Sequence, residues 1–188
     1  MTDILGAVND FVLAYCKQGD DLPALTQDQV VVGWQNLVSA LPDDTQEVAI
    51  LTLLQTQRHG TNIHRRRFAE GDTGLIETVM RLAEHMVQID FCCAHPRFAE
   101  ERARLRAEIV EILTRDRVGV DYFKQFGIAT CYAEDVRPLP FSNEASQQVA
   151  RYSVTMHLSA WTSVDIDLPS FEHVDLYLEN VDVHHHPT

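Results

Sequence analysis

Met86-Val87-Gln88-Ile89-Asp90-Phe91 is the stretch on which the fold turns. Val87, Ile89 and Phe91 fall on one face of an extended chain, Gln88 and Asp90 on the other. A period of two marks a half-buried strand. The strand reads as extending from Thr78 to Cys93, and Pro96 closes it ahead of a helix. That helix is predicted over Phe98–Thr114, with Phe98, Leu105, Ile109 and Ile112 as its buried stripe. Glu100, Arg104, Glu108 and Glu111 cover the other side, with Glu100 and Arg104 in the favourable i,i+4 order. A long strand followed by an amphipathic helix specifies a sheet with a helical cover.

Working outward, Tyr152, Val154, Met156 and Leu158 alternate with Ser153, Thr155, His157 and Ser159, a second long strand. Val174, Leu176 and Leu178 alternate with Asp175, Tyr177 and Glu179 in a last one. Gly127-Ile128-Ala129-Thr130 reads as a loop and short strand. Upstream, Val48 to Leu54 is a continuous apolar run without a helix cap, which suits a strand covered on both faces. Ile4 to Gln18 has apolar residues at helical spacing, ended by Gly19-Asp20-Asp21. Thr26 to Gln35 reads equally as a short helix or a strand, and Pro42-Asp43-Asp44 as a turn. Between two strands lies His59 to Ile76, polar and bounded by His59-Gly60 and Gly71-Asp72, read as the long tip of a β-hairpin. The predicted architecture is α+β: a single mixed or antiparallel sheet of four to five strands, two or three helices on one face, and a long β-hairpin arm. Residues 1–183 are expected to form one domain and 184–188 a flexible tail. Val87, Ile89, Phe91, Leu105, Ile109, Val154, Met156 and Leu158 are expected to be buried together.

The chain is 188 residues with 45% hydrophobic content and only 8 Gly and 7 Pro, long enough to bury a core and too apolar for disorder. A formal net charge of −13 on 21.3 kDa excludes a surface devoted to neutralising nucleic-acid phosphates. No apolar run approaches the ~20 residues of a membrane span, and Met1-Thr2-Asp3-Ile4 has no basic region of a secretory signal. Cys16, Cys92, Cys93 and Cys131 are scattered. Cys92 and Cys93, adjacent in a strand, point to opposite faces, so all four read as reduced, small hydrophobes.

No run has the spacing of a catalytic centre. His184-His185-His186 alternate sides in an extended chain and lack partner ligands, so no metal is assigned. Ser153 and His157 stand about 13 Å apart along a strand, and no Gly-x-Ser-x-Gly elbow occurs. Asp165 and Asp167, alternating with Val164, Ile166 and Leu168, form the polar face of a strand. Nothing asks for a cofactor, catalytic or metal-binding residue set. His59 and His64 flank Arg65-Arg66-Arg67, a tight run of positive charge in an acidic protein. Arginine's planar fork pairs with carboxylates, so this run is read first as a contact with a partner protein or neighbouring subunit, ahead of DNA backbone or a solvated loop. As a loop holding three like charges, it is expected to be mobile in the free subunit and ordered on assembly.

The ordered run from Met86–Phe91 through the helix, Gly127–Thr130 and Leu139-Pro140-Phe141-Ser142-Asn143-Glu144 to Gln147-Gln148-Val149-Ala150-Arg151-Tyr152 resembles the tail-terminator (neck-terminator) family of long-tailed bacteriophages. The resemblance spans roughly Glu47 to Val183; Ile4 to Leu41 matches in general character only. Its most specific part is the Glu/Gln-rich turn followed by an arginine entering a strand, here Arg151, which the resemblance makes an anchor of structure or interface. The resemblance implies a non-enzymatic virion protein of the neck, assembled in the host cytoplasm. It implies a homo-oligomeric ring, usually a hexamer, capping the tail tube protein and meeting the head connector or stopper protein, with sheath protein a further contact. DNA would pass through the lumen without specific binding. A head-tail stopper or tail-completion adaptor fits the same size and character, and a small metal-dependent hydrolase is the reading from another class.

Overall fold

A computed structural model describes residues 3–19, 21–33, 47–68, 74–94, 97–139, 141–142 and 148–168. Helix α1 (Ile4–Tyr15) starts where the Asp3 carboxylate accepts from the Gly6 amide at 2.9 Å. It buries Ile4, Val8, Phe11 and Val12, as the spacing predicts. The ambiguous stretch after it is both things in turn: a 3-10 turn over Gln27–Gln29, then strand β1 (Val30–Val32). Strands β2 (Glu47–Phe68) and β3 (Leu75–Cys93) run antiparallel, and β3 pairs along its whole length with β7 (Gln148–Leu168). Between β3 and β7 lie helices α2 (Ala99–Arg115) and α3 (Arg117–Lys124), then β4 (Ile128–Ala133), β5 (Arg137–Pro138) and β6 (Phe141–Ser142).

Among the described residues the sheet has seven strands in the order β1-β2-β3-β7-β4, with β5 and β6 also pairing β7. It is mixed, because β1 joins β2 in parallel and the other pairs are antiparallel. The expected four to five strands undercount it. The strands left out of that count, β5 and β6, and the ambiguous β1 are two or three residues long, and a period of two cannot show itself in so few. Helix α3 was not foreseen either. Its start is fixed by Asp116, which accepts from the Val118 amide at 3.0 Å. A side chain at Gly119 would bring its Cβ to 2.2 Å from the Leu113 carbonyl oxygen, so only glycine lets α3 turn back so closely onto α2.

The odd-numbered residues of β3 from Ala83 to Cys93 and their β7 partners from Ala160 back to Ala150 face the helices. Val87, Ile89, Phe91, Val154, Met156 and Leu158 join Phe11, Val110 and Phe123 in one core. The predicted stripe on α2 is corrected. Ala103, Arg106, Ala107, Val110 and Thr114 are buried, Leu105 and Ile109 are only half-buried, and Ile112 is 64% exposed. Small side chains let the helix sit close to the sheet, so the bulkiest apolar residues mark its shoulders. Arg106 can be buried because its Nε donates to Glu47 Oε2 at 2.6 Å and its Nη2 to the Pro23 carbonyl at 2.9 Å. Arg102 donates to the other oxygen of Glu47 at 2.7 Å.

Asp90, expected on an open polar face, is buried too, accepting from Arg151 at 2.7 Å and from Gln88. The Val48–Leu54 run is covered on both faces only as far as Thr52; Leu53 and Leu54 are exposed. Cys16, Cys92 and Cys93 are buried and outside any disulfide, and burial pushes Cys16 and Cys92 up to about 12. The predicted strand Val174 to Glu179, the turn at Pro42 and the tail His184–His186 lie outside the described residues.

Candidate assembly interface

The largest departure from the sequence reading is the segment His59 to Ile76, expected to be a loop. Strand β2 continues to Phe68 and β3 begins at Leu75, so most of it is strand: His64 opposes Val79, Arg65 Thr78, Arg66 Glu77, Arg67 Ile76 and Phe68 Leu75. Strand β7 continues alongside, Val164 opposite Val79 and Leu168 opposite Leu75. The arm is therefore three strands thick. Its polar sequence misled because an exposed strand needs no apolar face. From Ala83 to Leu75 the ladder spans about 27 Å at the usual rise per residue.

Alternation distributes the arm's side chains. On the face that continues the helix-covered side lie Phe68, 74% exposed, Val164, 59% exposed, and Ile166, with half-buried Leu75, Val79 and Leu168 among them. Arg66 and Glu77 share that face, the Nε of Arg66 donating to Glu77 at 3.0 Å, with His64 Nδ1 3.7 Å from the same carboxylate. The hydrogen bond from Arg66 holds the Glu77 carboxyl below its ordinary value. On the opposite face Arg65 and Arg67 of β2 stand across β3 from Asp165 and Asp167 of β7. Asp165 accepts from Thr78 at 2.6 Å and from Arg67 at 3.2 Å, and these bonds lower its carboxyl too, Thr78 most. The arginines are thus not three like charges crowded in a loop. Alternation separates them, and two of them are paired within the chain.

The root of the arm is a chain of polar contacts. His59 Nε2 lies 2.9 Å from Glu84 Oε2, and Glu84 Oε1 lies 2.5 Å from His157 Nδ1. His157 Nε2 lies 3.1 Å from Glu134, which Arg137 contacts at 3.0 Å. Tyr132 stacks on the His157 ring with centroids 4.3 Å apart. Hydrogen bonds from His157 and then His59 hold Glu84 below its ordinary value. These contacts join β2, β3, β7 and the end of β4 where the arm leaves the helix-covered body. Above this point the ladder of β2 is interrupted: His59 opposes Leu82 but Ile63 opposes Met80, and Gly60 takes φ 69° in the bulge between them.

The sequence-selected residues therefore fall into separate places. His64, Arg65, Arg66 and Arg67 are brought together near the tip, and His59 belongs to the root. Arg151 lies opposite Cys92, fourteen rungs from the Arg65–Thr78 pair, about 45 Å along the sheet. There it serves the body by pairing with buried Asp90. Sequence reasoning missed the root contacts and the exposed apolar face. The alternation of Val164, Ile166 and Leu168 was the available signal for the latter. Among the described residues no group of three or more His, Cys, Asp or Glu side chains is arranged to hold a metal, and no helix is long and apolar enough to cross a membrane.

Comparison with curated proteins gives no match. Comparison with family models gives one that covers nearly the whole chain, residues 2–186, described as phage neck terminator protein. It includes the N-terminal helix, where the resemblance in sequence was only general. The chain belongs to the phage neck terminator protein family, a structural component of the bacteriophage tail and neck.

Proposed function

We propose that the protein forms a closed ring that caps the tail tube, ends its polymerisation and joins the tail to the head connector. Family membership supports the neck and the terminator role. The observation that carries the ring reading is the arm: a three-stranded extension whose faces bear apolar and charged side chains not needed by the core. Contiguous exposed apolar surface on a structured element marks a protein contact. His64, Arg65, Arg66 and Arg67 lie within this contact, His59 braces its root, and Arg151 holds the sheet that carries it. The partners are further copies of the chain, the tail tube protein and the connector or stopper protein. DNA passes through the ring without specific binding, consistent with a net charge of −13 and with the pairing of Arg66 and Arg67 to acids of the same chain.

The test is complementation of a phage lacking this gene. Replacing Arg65, Arg66 and Arg67 together with Ser is expected to leave the protein folded and to yield tails of abnormal length or without heads. Tails of normal length joined to heads at wild-type yield would overturn the assignment of the arm.

A further inference from the structure

Among the described residues the arm has two open edges. Strand β1 pairs with β2 only from Ala49 to Leu51, and β4 reaches β7 only as far as Ala160. Beyond these points, among the described residues, neither outer edge has a strand beside it. Above the bulge, β2 presents Ile63–Phe68 and β7 presents Ser163–Leu168, paired to the same rungs of β3. The two edges are equal in length and level with each other. An exposed, regular edge is a template for another strand.

We propose that the arms of adjacent subunits join edge to edge, the β2 edge of one copy pairing in parallel with the β7 edge of the next. This rests on the ring reading above and specifies the contact that closes it. Strands β2 and β7 both run antiparallel to β3, hence parallel to each other. Copies related by rotation about an axis along the arms therefore meet in the right direction.

Charge selects the same combination. On one face the β2 edge carries Arg65 and Arg67, and the β7 edge carries Asp165 and Asp167 on that same face. Arg67 and Asp165 are already paired with each other, whereas neither Arg65 nor Asp167 makes an ion pair among the described residues. One unengaged cation stands at one edge and one unengaged anion at the other, and joining the edges two residues out of level sets Arg65 of one copy against Asp167 of the next. On the opposite face, that register leaves the exposed Phe68 of one copy diagonal to Leu168 of the next. A twofold contact does the reverse. Joining β2 to β2 opposes arginines to arginines, and β7 to β7 opposes aspartates, both unfavourable across strands. A head-to-tail contact remains, and such contacts close into rings.

The experiment is mass photometry of the full chain, free and on purified tail tubes. It compares the wild type, Arg65→Asp, Asp167→Arg and an equimolar mixture of the two variants. Each variant alone opposes like charges at every interface, and its assembly midpoint is expected to move to at least about tenfold higher concentration. In the mixture, copies of Arg65→Asp that alternate with copies of Asp167→Arg bring opposite charges together at every interface. Rings are therefore expected to return with equal amounts of each variant. Repair within one chain cannot produce that result. Circular dichroism of the monomers checks that both variants fold. Wild-type rings with either variant assembling as well as wild type, or a mixture no better than its components, would overturn edge pairing and leave the ring reading standing. A wild type that stays monomeric both free and on tubes would overturn both.

Discussion

At the scale of single residues, the charges that matter to folding are the buried ones. Arg106 and Glu47 are both nearly inaccessible, and Arg106 also donates to the carbonyls of Cys16 and Pro23. Arg106 thereby ties α2 to β2 and to the segment after α1. Removing one partner of such a pair leaves an uncompensated charge, and Arg106→Ala is expected to cost about 3–5 kcal/mol by denaturant titration; a loss below about 1 kcal/mol would show that the pair is dispensable. The arm's carboxylates act through pH instead. Glu77 and Asp165 have folded values below their ordinary ones. Their contribution is thus complete above the unfolded values, about 4.3 and 3.9, and is lost as pH falls through the lower folded values. Hydrogen-exchange protection of the arm's rungs is expected to fall below about pH 4 faster than that of the body. Equal decline in both would mean that these pairs do not hold the arm.

Among the elements, strands announced themselves and the helix face did not. The alternation of Val87, Ile89 and Phe91, and of Tyr152, Val154, Met156 and Leu158, was legible because each strand has one side against the core. The stripe on α2 was misjudged because closeness of packing selects alanine, and no hydrophobicity pattern distinguishes a buried alanine from an exposed one. Nor could a sequence pattern reveal that Arg106 is inside, since its partner Glu47 lies fifty-nine residues away. The arm was hidden for the opposite reason: with no core to cover, its strands carry charge on both faces. Site residues near its tip were legible as a cluster, but not their pairing to Glu77 and Asp165, which depends on register. Two substitutions separate the faces of the helix-and-sheet layer. Phe91→Ala should cost about 3–5 kcal/mol, whereas Ile112→Ala, on the exposed shoulder of α2, should change stability by no more than about 0.5 kcal/mol. Similar losses from both would contradict the placement of α2 on the sheet.

For the whole molecule, one continuous sheet performs two tasks. Its lower part, sealed by three helices, is a stable body; the same β2, β3 and β7 then run on without that cover as the arm. Stiffness in the arm comes from ladder hydrogen bonds through a central strand, and its side chains are left available to other proteins. Such a division suits a component that must meet several neighbours while holding a fixed shape, and it accounts for exposed apolar residues in so acidic a chain. The central claim is that this protein ends the tube. Its most direct measurement is electron microscopy of tail tubes polymerising from purified tube protein, with and without this protein added during growth. The tubes are expected to stop lengthening, each bearing one ring of the added protein at one end. Tubes that continue to grow at the unaltered rate, with no added density at either end, would contradict it.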